Sequence, residues 1–360
     1  MKEEWLLPSN DLVREVSCNV QVRIGKDLNL RRLKGSHDQH SAKAEEIRRS
    51  RSTLYESNEI EPVTFCPVCG ASSETSTPRA TIMGATYHQC RQCSHVFVKD
   101  RPTRGALERF YRENKEYAIC YADPNSIAVR IEEIAIPKLK WITEVFRERF
   151  GREPRSVLDV GAGAGHFVFA AEQRGLRAVG VELSESARAF AREHFRMELQ
   201  PVDFLNSSAS LGTFDIVSFW GLIEHTTQPV EFLRAARSCL AGQTGLVIAE
   251  VPRWTSLGTA VQLEFLNTIT RHLDPLGHIN VFTDSSLATA FVVGGLSPVA
   301  AWYYGMDAYE LITQLAMRSA GVNDGEFADV ANHLLRLQPW IDRARMTDEI
   351  ILAGCPLREE

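Results

Sequence analysis

Three groups of residues in this chain have the types and spacing to do chemistry. The stretch SVLDVGAGAGHF, residues 156–167, runs from apolar residues into Asp159 and then places glycines at 161, 163 and 165. Cysteines 66, 69, 90 and 93 stand in CPVCG and CRQCS, a C-x2-C-x20-C-x2-C arrangement. Histidines stand in WGLIEHTTQP (His225, after Glu224) and in RHLDPLGHINVF (His272 and His278, with Asp274 between them). Imidazole suits proton transfer near neutral pH.

The glycine loop reads as a buried strand turning sharply into a helix. Bare backbone lets a ligand approach, and a helix N-terminus offers N–H groups. The dinucleotide fingerprint G-x-G-x-x-G fails here, because its third glycine position falls on His166. A P-loop would need a Gly-Lys-Ser/Thr ending, and none is present. Asp159 supplies a charge argument: a carboxylate repels a pyrophosphate but favours S-adenosylmethionine (SAM), which carries an ammonium and a sulfonium. Two further acids fall at the ends of the next strand patterns. Glu182, followed by Leu183 in RAVGVEL, can accept both ribose hydroxyls, and Asp203 in PVDFL can accept from the adenine amino group while Phe204 covers the ring. Any one of these acids alone reads equally as a solvated loop residue.

The cysteine pairs read as a zinc site, since two tight turns can present four thiolates to one ion. Such a site is closed and structural. A redox CxxC is the alternative, and His88 and His95 lie close enough in sequence to replace a thiolate.

Behind these groups the chain divides into four parts. Residues 1–60 are polar and mixed in charge and read as a loosely ordered extension, in which NVQVRI can form one strand and SAKAEEIRRSRS a short helix. Residues 61–100 hold the ribbon, and 101–150 form a helical linker or cap that Gly151 stops. Residues 151–360 alternate strand and helix: RSVLDV, RAVGVEL, MELQPVD, FDIVSFW and GLVIAEV predict a parallel sheet with helices on both faces, and SPVAAWYY with DEIILAGCP closes it.

The whole chain has 360 residues, 44% hydrophobic, and a net charge of −6. That balance speaks against a general affinity for nucleic acid. No apolar run reaches membrane-spanning length, and MKEEWLLPSNDLV has acids where a signal peptide needs a basic end. A cytoplasmic location follows as the expectation. Oligomeric state is open, with a homodimer among the possibilities.

Residues 155–357 resemble a class I SAM-dependent methyltransferase, through the D-x-G-x-G-x-G loop, the two strand-end acids and FDIVSFWGLIEHTTQPVEFL. The resemblance implies an α/β fold with a seven-stranded, doubly wound Rossmann-like sheet. It also implies SAM as cofactor, held by Asp159, Gly161, Gly163, Gly165, Glu182, Leu183, Asp203 and Phe204, with Trp220 on adenine or substrate. A zinc ribbon ahead of such a domain is similar to the sugar C-methyltransferases of deoxysugar and natural-product pathways. Their further C-terminal domain lies beyond DEIILAGCPLREE, where this sequence runs out. In that family the base is a histidine in an E-H-F-Y-x-F-like stretch. His278 matches it, with Gly277 in place of the acid and Asn280 in place of the tyrosine. His225 matches a histidine after the fourth strand.

Some quinone O-methyltransferases and small-RNA 2′-O-methyltransferases carry a metal-binding E-x-x-E-H at that point. Here Gly221 replaces the first acid, so no catalytic metal is expected. Tyr111, Tyr117 and Tyr121 either close over the substrate or pack the contact between domains. The expected activity is methylation, at carbon or oxygen, of a small polar metabolite such as a sugar nucleotide or natural-product intermediate. An RNA or protein methyltransferase and a non-catalytic SAM-binding protein are the alternatives.

Overall fold

The computed structural model describes residues 1–8, 15–26, 49, 51–56, 59–113, 123–265, 272–318 and 332–357. Its first elements are two strands, β1 (Lys2–Pro8) and β2 (Glu15–Ile24), paired antiparallel. The cysteine-bearing segment expected to be a ribbon follows: β3 (Ile60–Pro62), β4 (Thr77–Ile82), β5 (Ala85–Gln89), β6 (Val96–Val98) and β7 (Asp100–Pro102). Helix α1 covers Arg104–Glu113, and a longer helical run ends in α2, Ile136–Phe150. Gly151 stops α2 as the sequence predicts: at φ 69° its N–H bonds the Arg147 carbonyl, the left-handed C-terminal cap that glycine adopts without strain.

The main sheet is mixed. Its parallel centre is β8 (Ser156–Val160), β9 (Arg177–Val181), β10 (Ile216–Trp220) and β11 (Leu246–Pro252). Every residue of β8 and β11 is buried, as fits strands covered by helices on both faces. After a two-residue strand β12 (Asn280–Val281) come β13 (Leu296–Tyr304) and β14 (Glu349–Pro356), with β14 antiparallel to both β11 and β13. The order across the sheet is β1-β2-β13-β14-β11-β10-β8-β9.

This differs from the expected seven strands in two ways. MELQPVD contributes only a single bridge, Val181 to Gln200, while Met197 and Leu199 pack against Gly165 and Gly180. The supposed extension contributes two strands, with β2 parallel to β13. The polar composition of residues 1–60 masks a period of two: Val20 and Val22 are buried while Asn19 and Arg23 face outward. β1 covers the outer side, and Leu7 packs with Ala288 and Val292. Tyr117 and Tyr121 and most of SAKAEEIRRSRS lie outside the described residues.

Val20 is fully buried in the main core. Val20→Ala is expected to destabilise the whole protein by about 2 kcal/mol, read from the urea midpoint. A change below about 0.5 kcal/mol would mean that the N-terminal strands are not part of the cooperative core.

Candidate active site

The carboxyl ends of β8 to β11 open onto one cavity of about 690 Å³. The turn after β8 is held in place from β9: the N–H groups of Gly161 and Ala162 both donate to the Val181 carbonyl, at 2.9 and 3.0 Å. Gly161, Gly163 and Gly165 all have positive φ, but their roles differ. A side chain at Gly161 would strike Leu222, and one at Gly165 would strike Met197 and Ala191. A side chain at Gly163 would point into open space. Gly163 is therefore the floor of a cradle, and Gly165 is a packing glycine that does not line the cavity.

Glu182 lines the cradle and is oriented by the N–H groups of Gly163 (2.8 Å) and Ser184 (2.7 Å). Burial pushes its carboxyl above the ordinary value, against those donors. Leu183, Asp203 and Phe204 also reach the cavity. Asp203 has other work as well: it caps the helix that follows and takes an ion pair from Arg104 at 2.7 Å. Phe204 packs edge-on against Phe219. Trp220 lies across Phe167, with the Lys138 ammonium 4.8 Å from its ring centre.

Asp159 is buried beneath the loop and accepts from the Ser218 hydroxyl at 2.8 Å. Burial pushes its carboxyl up to about 7. Lys138 instead pairs with Glu250, which also takes the Tyr304 hydroxyl. Burial would raise Glu250, but Lys138 and these bonds hold it below its ordinary value. Three buried polar atoms on the cavity wall, His166 Nε2, Trp220 Nε1 and Glu224 Oε2, have no hydrogen-bond partner among the described residues. Such atoms, beside an open cradle and a buried acid, fit a bound polar ligand that is partly cationic.

The histidines converge on the other side of the cavity. His225 Nδ1 lies 2.6 Å from the Gly277 carbonyl, and His278 Nδ1 lies 3.1 Å from the His272 carbonyl. A carbonyl only accepts, so both Nδ1 atoms carry the hydrogen, and in a neutral ring the lone pair is then on Nε2. The two rings are 4.8 Å apart. Glu224 joins them: its carboxylate, a ring nitrogen of His225 and one of His278 lie within 4.8 Å of one another. Burial raises Glu224 to about 8 and, with His278 adding to it, lowers His225 to about 3. At neutral pH the cluster sets a carboxylic acid, Glu224, beside the neutral imidazole of His225. It can take a proton from a hydroxyl or give a divalent ion one oxygen and two nitrogens. Tyr111 reaches it too, with its hydroxyl 2.9 Å from His225 Nδ1. Asp274 does not: Arg51 grips it through two nitrogens, at 3.0 and 2.8 Å.

The ribbon is built into this loop. Sγ of Cys66 lies 3.6 Å from that of Cys93, and Cys69 from Cys90 likewise. All four sulfurs lie within 4.8 Å of one another. Four thiolates around one zinc stand about 3.8 Å apart, far beyond a disulfide bond. His88 bonds Ser76, and His95 bonds Asn280 at 3.1 Å, so neither joins the thiolates. β12 pairs with β6, placing Asn280 and Val281 in the ribbon sheet directly after His278. The Tyr87 hydroxyl donates to the His278 carbonyl at 3.0 Å, and Asn280 donates to the Thr226 carbonyl at 2.8 Å.

Residues 130–300 match the methyltransferase domain family. They span α2, the parallel centre of the sheet, both histidine loops and the first half of β13. The chain is similar to a ubiquinone biosynthesis O-methyltransferase of Pseudomonas paraeruginosa, 33% identical over 104 residues, 27% of this chain and 43% of the relative. It is also similar to the mitochondrial ubiquinone biosynthesis O-methyltransferase of Schizosaccharomyces pombe, 29% identical over 125 residues, 32% and 45% of the two chains. The chain thus spans less than half the length of these relatives. Among solved structures, the plantazolicin methyltransferase BamL with a triazolic desmethylPZN analog and SAH superposes on 71% of this chain and 100% of its own, with 15% identity and a TM-score of 0.44.

Several cavity residues carried no signal in the sequence. Arg130 and Lys138 come from the helical run before β8, Glu250 from the end of β11, and Tyr304 from the end of β13. Lys26 follows β2 and stands 4.7 Å over the Tyr304 ring, where burial lowers its ammonium to about 7. Only the strand-end position of Glu250 and Tyr304 could have marked them.

Asp159 sets a pH dependence. Its folded value near 7 lies above the unfolded value of about 4, so the stability it contributes is full below about 4 and lost as pH rises through 7. Asp159→Asn is expected to raise the melting temperature at pH 8 by several degrees, and the gain should vanish toward pH 4. A gain independent of pH would overturn the assignment of a buried, protonated Asp159.

Proposed function

We propose that the protein transfers a methyl group from SAM to a hydroxyl oxygen of a small polar acceptor. The observation that carries this reading is the pairing, in one cavity, of the Gly163 cradle with two imidazoles, His225 and His278, that each bring a ring nitrogen to Glu224. SAM supplies an electrophilic methyl on a sulfonium. Gly161 and Gly163 give it room, Glu182 holds the ribose, and Asp203 with Phe204 borders the adenine. Asp159 lies below the cationic end and ionises as that charge arrives. His278, backed by His225, accepts the acceptor's proton as the oxygen turns nucleophilic. The wall between the two halves positions oxygen and methyl for in-line displacement.

O-methylation is favoured over C-methylation by the likeness to ubiquinone O-methyltransferases. The acceptor is a natural-product or cofactor intermediate. Eight Asp/Glu and four Lys/Arg line the cavity, and with Glu224 and Asp159 set aside for their raised values the acids still outnumber the bases six to four, which disfavours the diphosphate of a sugar nucleotide and the backbone of RNA. The ribbon holds one structural zinc through Cys66, Cys69, Cys90 and Cys93, and through β12 and Asn280 that ion fixes the position of His278.

Calorimetry should show S-adenosylhomocysteine binding to the purified protein and NADH failing to compete with it. His278→Ala should lower turnover by about 100-fold or more while leaving that affinity unchanged. Full turnover in His278→Ala, or no binding of S-adenosylhomocysteine, would overturn the reading.

The ribbon link has its own test. Asn280→Ala should lower kcat on the order of tenfold to 100-fold and leave cofactor affinity intact. Stripping the zinc should do the same, followed by metal analysis and activity. Unchanged kcat in both cases would separate ribbon from catalysis.

A further inference from the structure

A second cluster in the same cavity takes no part in the reading above. It forms where the loop before His278 meets the start of β14. His272 Nε2 lies 3.6 Å from Asp348 Oδ2 and 3.6 Å from Glu349 Oε1, and ligand atoms of the three residues all lie within 4.8 Å of one another. His272 and Asp348 are buried, while Glu349 and His272 reach the cavity wall beside Tyr304 and Met306.

A separation of 3.6 Å is too long for a nitrogen–oxygen hydrogen bond. It is close to the spacing of two ligands that share one ion, since donors about 2.1 Å from a metal at tetrahedral angles stand about 3.4 Å apart. Asp348 is also held from behind, as ligating carboxylates are. Its Oδ1 accepts from the Met306 N–H at 2.9 Å, which turns Oδ2 toward His272. Its own N–H donates to Asp307 Oδ2 at 3.0 Å, and Asp307 is fixed in turn by the Gly258 N–H and by Gln338. Gly305 leaves room for this arrangement, because a side chain there would fall within 2.4 Å of the Asp307 and Asp348 oxygens.

We infer that His272, Asp348 and Glu349 form a site for a divalent transition ion in the acceptor wall of the cavity. One imidazole and two carboxylates suit manganese, iron, cobalt or zinc better than the all-oxygen ligands of calcium and magnesium. Three protein ligands leave coordination positions open toward the cavity. An oxygen of the acceptor fills one of them, a role that rests on the proposed methyl transfer to such an acceptor. The site is separate from Glu224, His225 and His278, although its His272 carbonyl orients His278.

The test uses the full-length, zinc-loaded protein and manganese(II) as probe. Electron paramagnetic resonance should count one bound manganese per chain, and an anomalous-scattering map should place it among His272, Asp348 and Glu349. Glu349→Gln and His272→Gln should each weaken manganese binding at least about tenfold, while Glu224→Gln should leave it unchanged. Melting temperature and S-adenosylhomocysteine binding, measured on each variant, show whether it is folded. Two buried-site variants and a direct map keep the result readable if one fails to fold. No manganese at millimolar concentration, a peak among Glu224, His225 and His278, or binding unaffected in folded Glu349→Gln would overturn the inference. Loss of S-adenosylhomocysteine binding in the unaltered protein would instead sink the methyl-transfer reading, and leave the manganese result to be judged alone.

Discussion

Two residues of β-ladder hold the two ends of the candidate site together. Asn280 and Val281 pair with Phe97 and Val96, which joins the ribbon to the loop that ends in His278. The Asn280 side chain then accepts one bond from His95 on the ribbon side and donates another to Thr226 on the His225 side. Every buried polar group in that chain needs its partner. The cysteine-bearing sheet is thereby hydrogen-bonded to both histidine loops, although no cysteine lines the cavity.

The electrostatics of the cavity divide along the same lines. Glu250 stays ionised because Lys138 and Tyr304 meet it directly. Asp159 and Glu224 have no such direct cation partner among the described residues, and burial raises Asp159 to about 7 and Glu224 to about 8, so near neutral pH Glu224 is mostly protonated and Asp159 only partly ionised. Buried acids held this way destabilise the empty fold once they ionise, and they ionise readily when a positive charge enters. A site of this kind favours a cationic ligand most strongly at the two points where the protein itself supplies no cation. His225, neutral and tied to Gly277, gives the complementary lone pair.

The N-terminal segment is as much a part of this arrangement as the central sheet. β2 extends the sheet beyond β13. Just past it, Lys26 enters the cavity above Tyr304. Arg51 clamps Asp274, and Tyr55 bonds the Pro275 carbonyl at 2.5 Å, so the His272–His278 loop is braced from a part of the chain more than 200 residues away.

Local pattern was enough for the glycine loop, the helix stop at Gly151, four of the five parallel strands expected over 156–252 and the two cysteine turns, because each depends on residues next to one another in sequence. That Asp159 and Glu182 reach the cavity was legible for the same reason, since a strand end is a local feature and such ends line the cleft of an open α/β sheet, whereas Asp203 follows a single bridge and not the expected strand. Other features came only from contacts between distant segments. Polar composition concealed the β1–β2 pair, since a strand buried on one face needs only alternate apolar residues. Gly165 looked like Gly163 in the sequence, and only the approach of Met197 and Ala191 gave it a packing role. Which histidines meet Glu224, which cavity acid Arg51 pairs with, and where His272 finds Asp348 are set by long-range packing. The sequence therefore determined the kinds of groups available and the turns that carry them, while the tertiary structure decided which of them face each other and with what charge. Burial and partner choice control both, and neither is a property of a short stretch of chain.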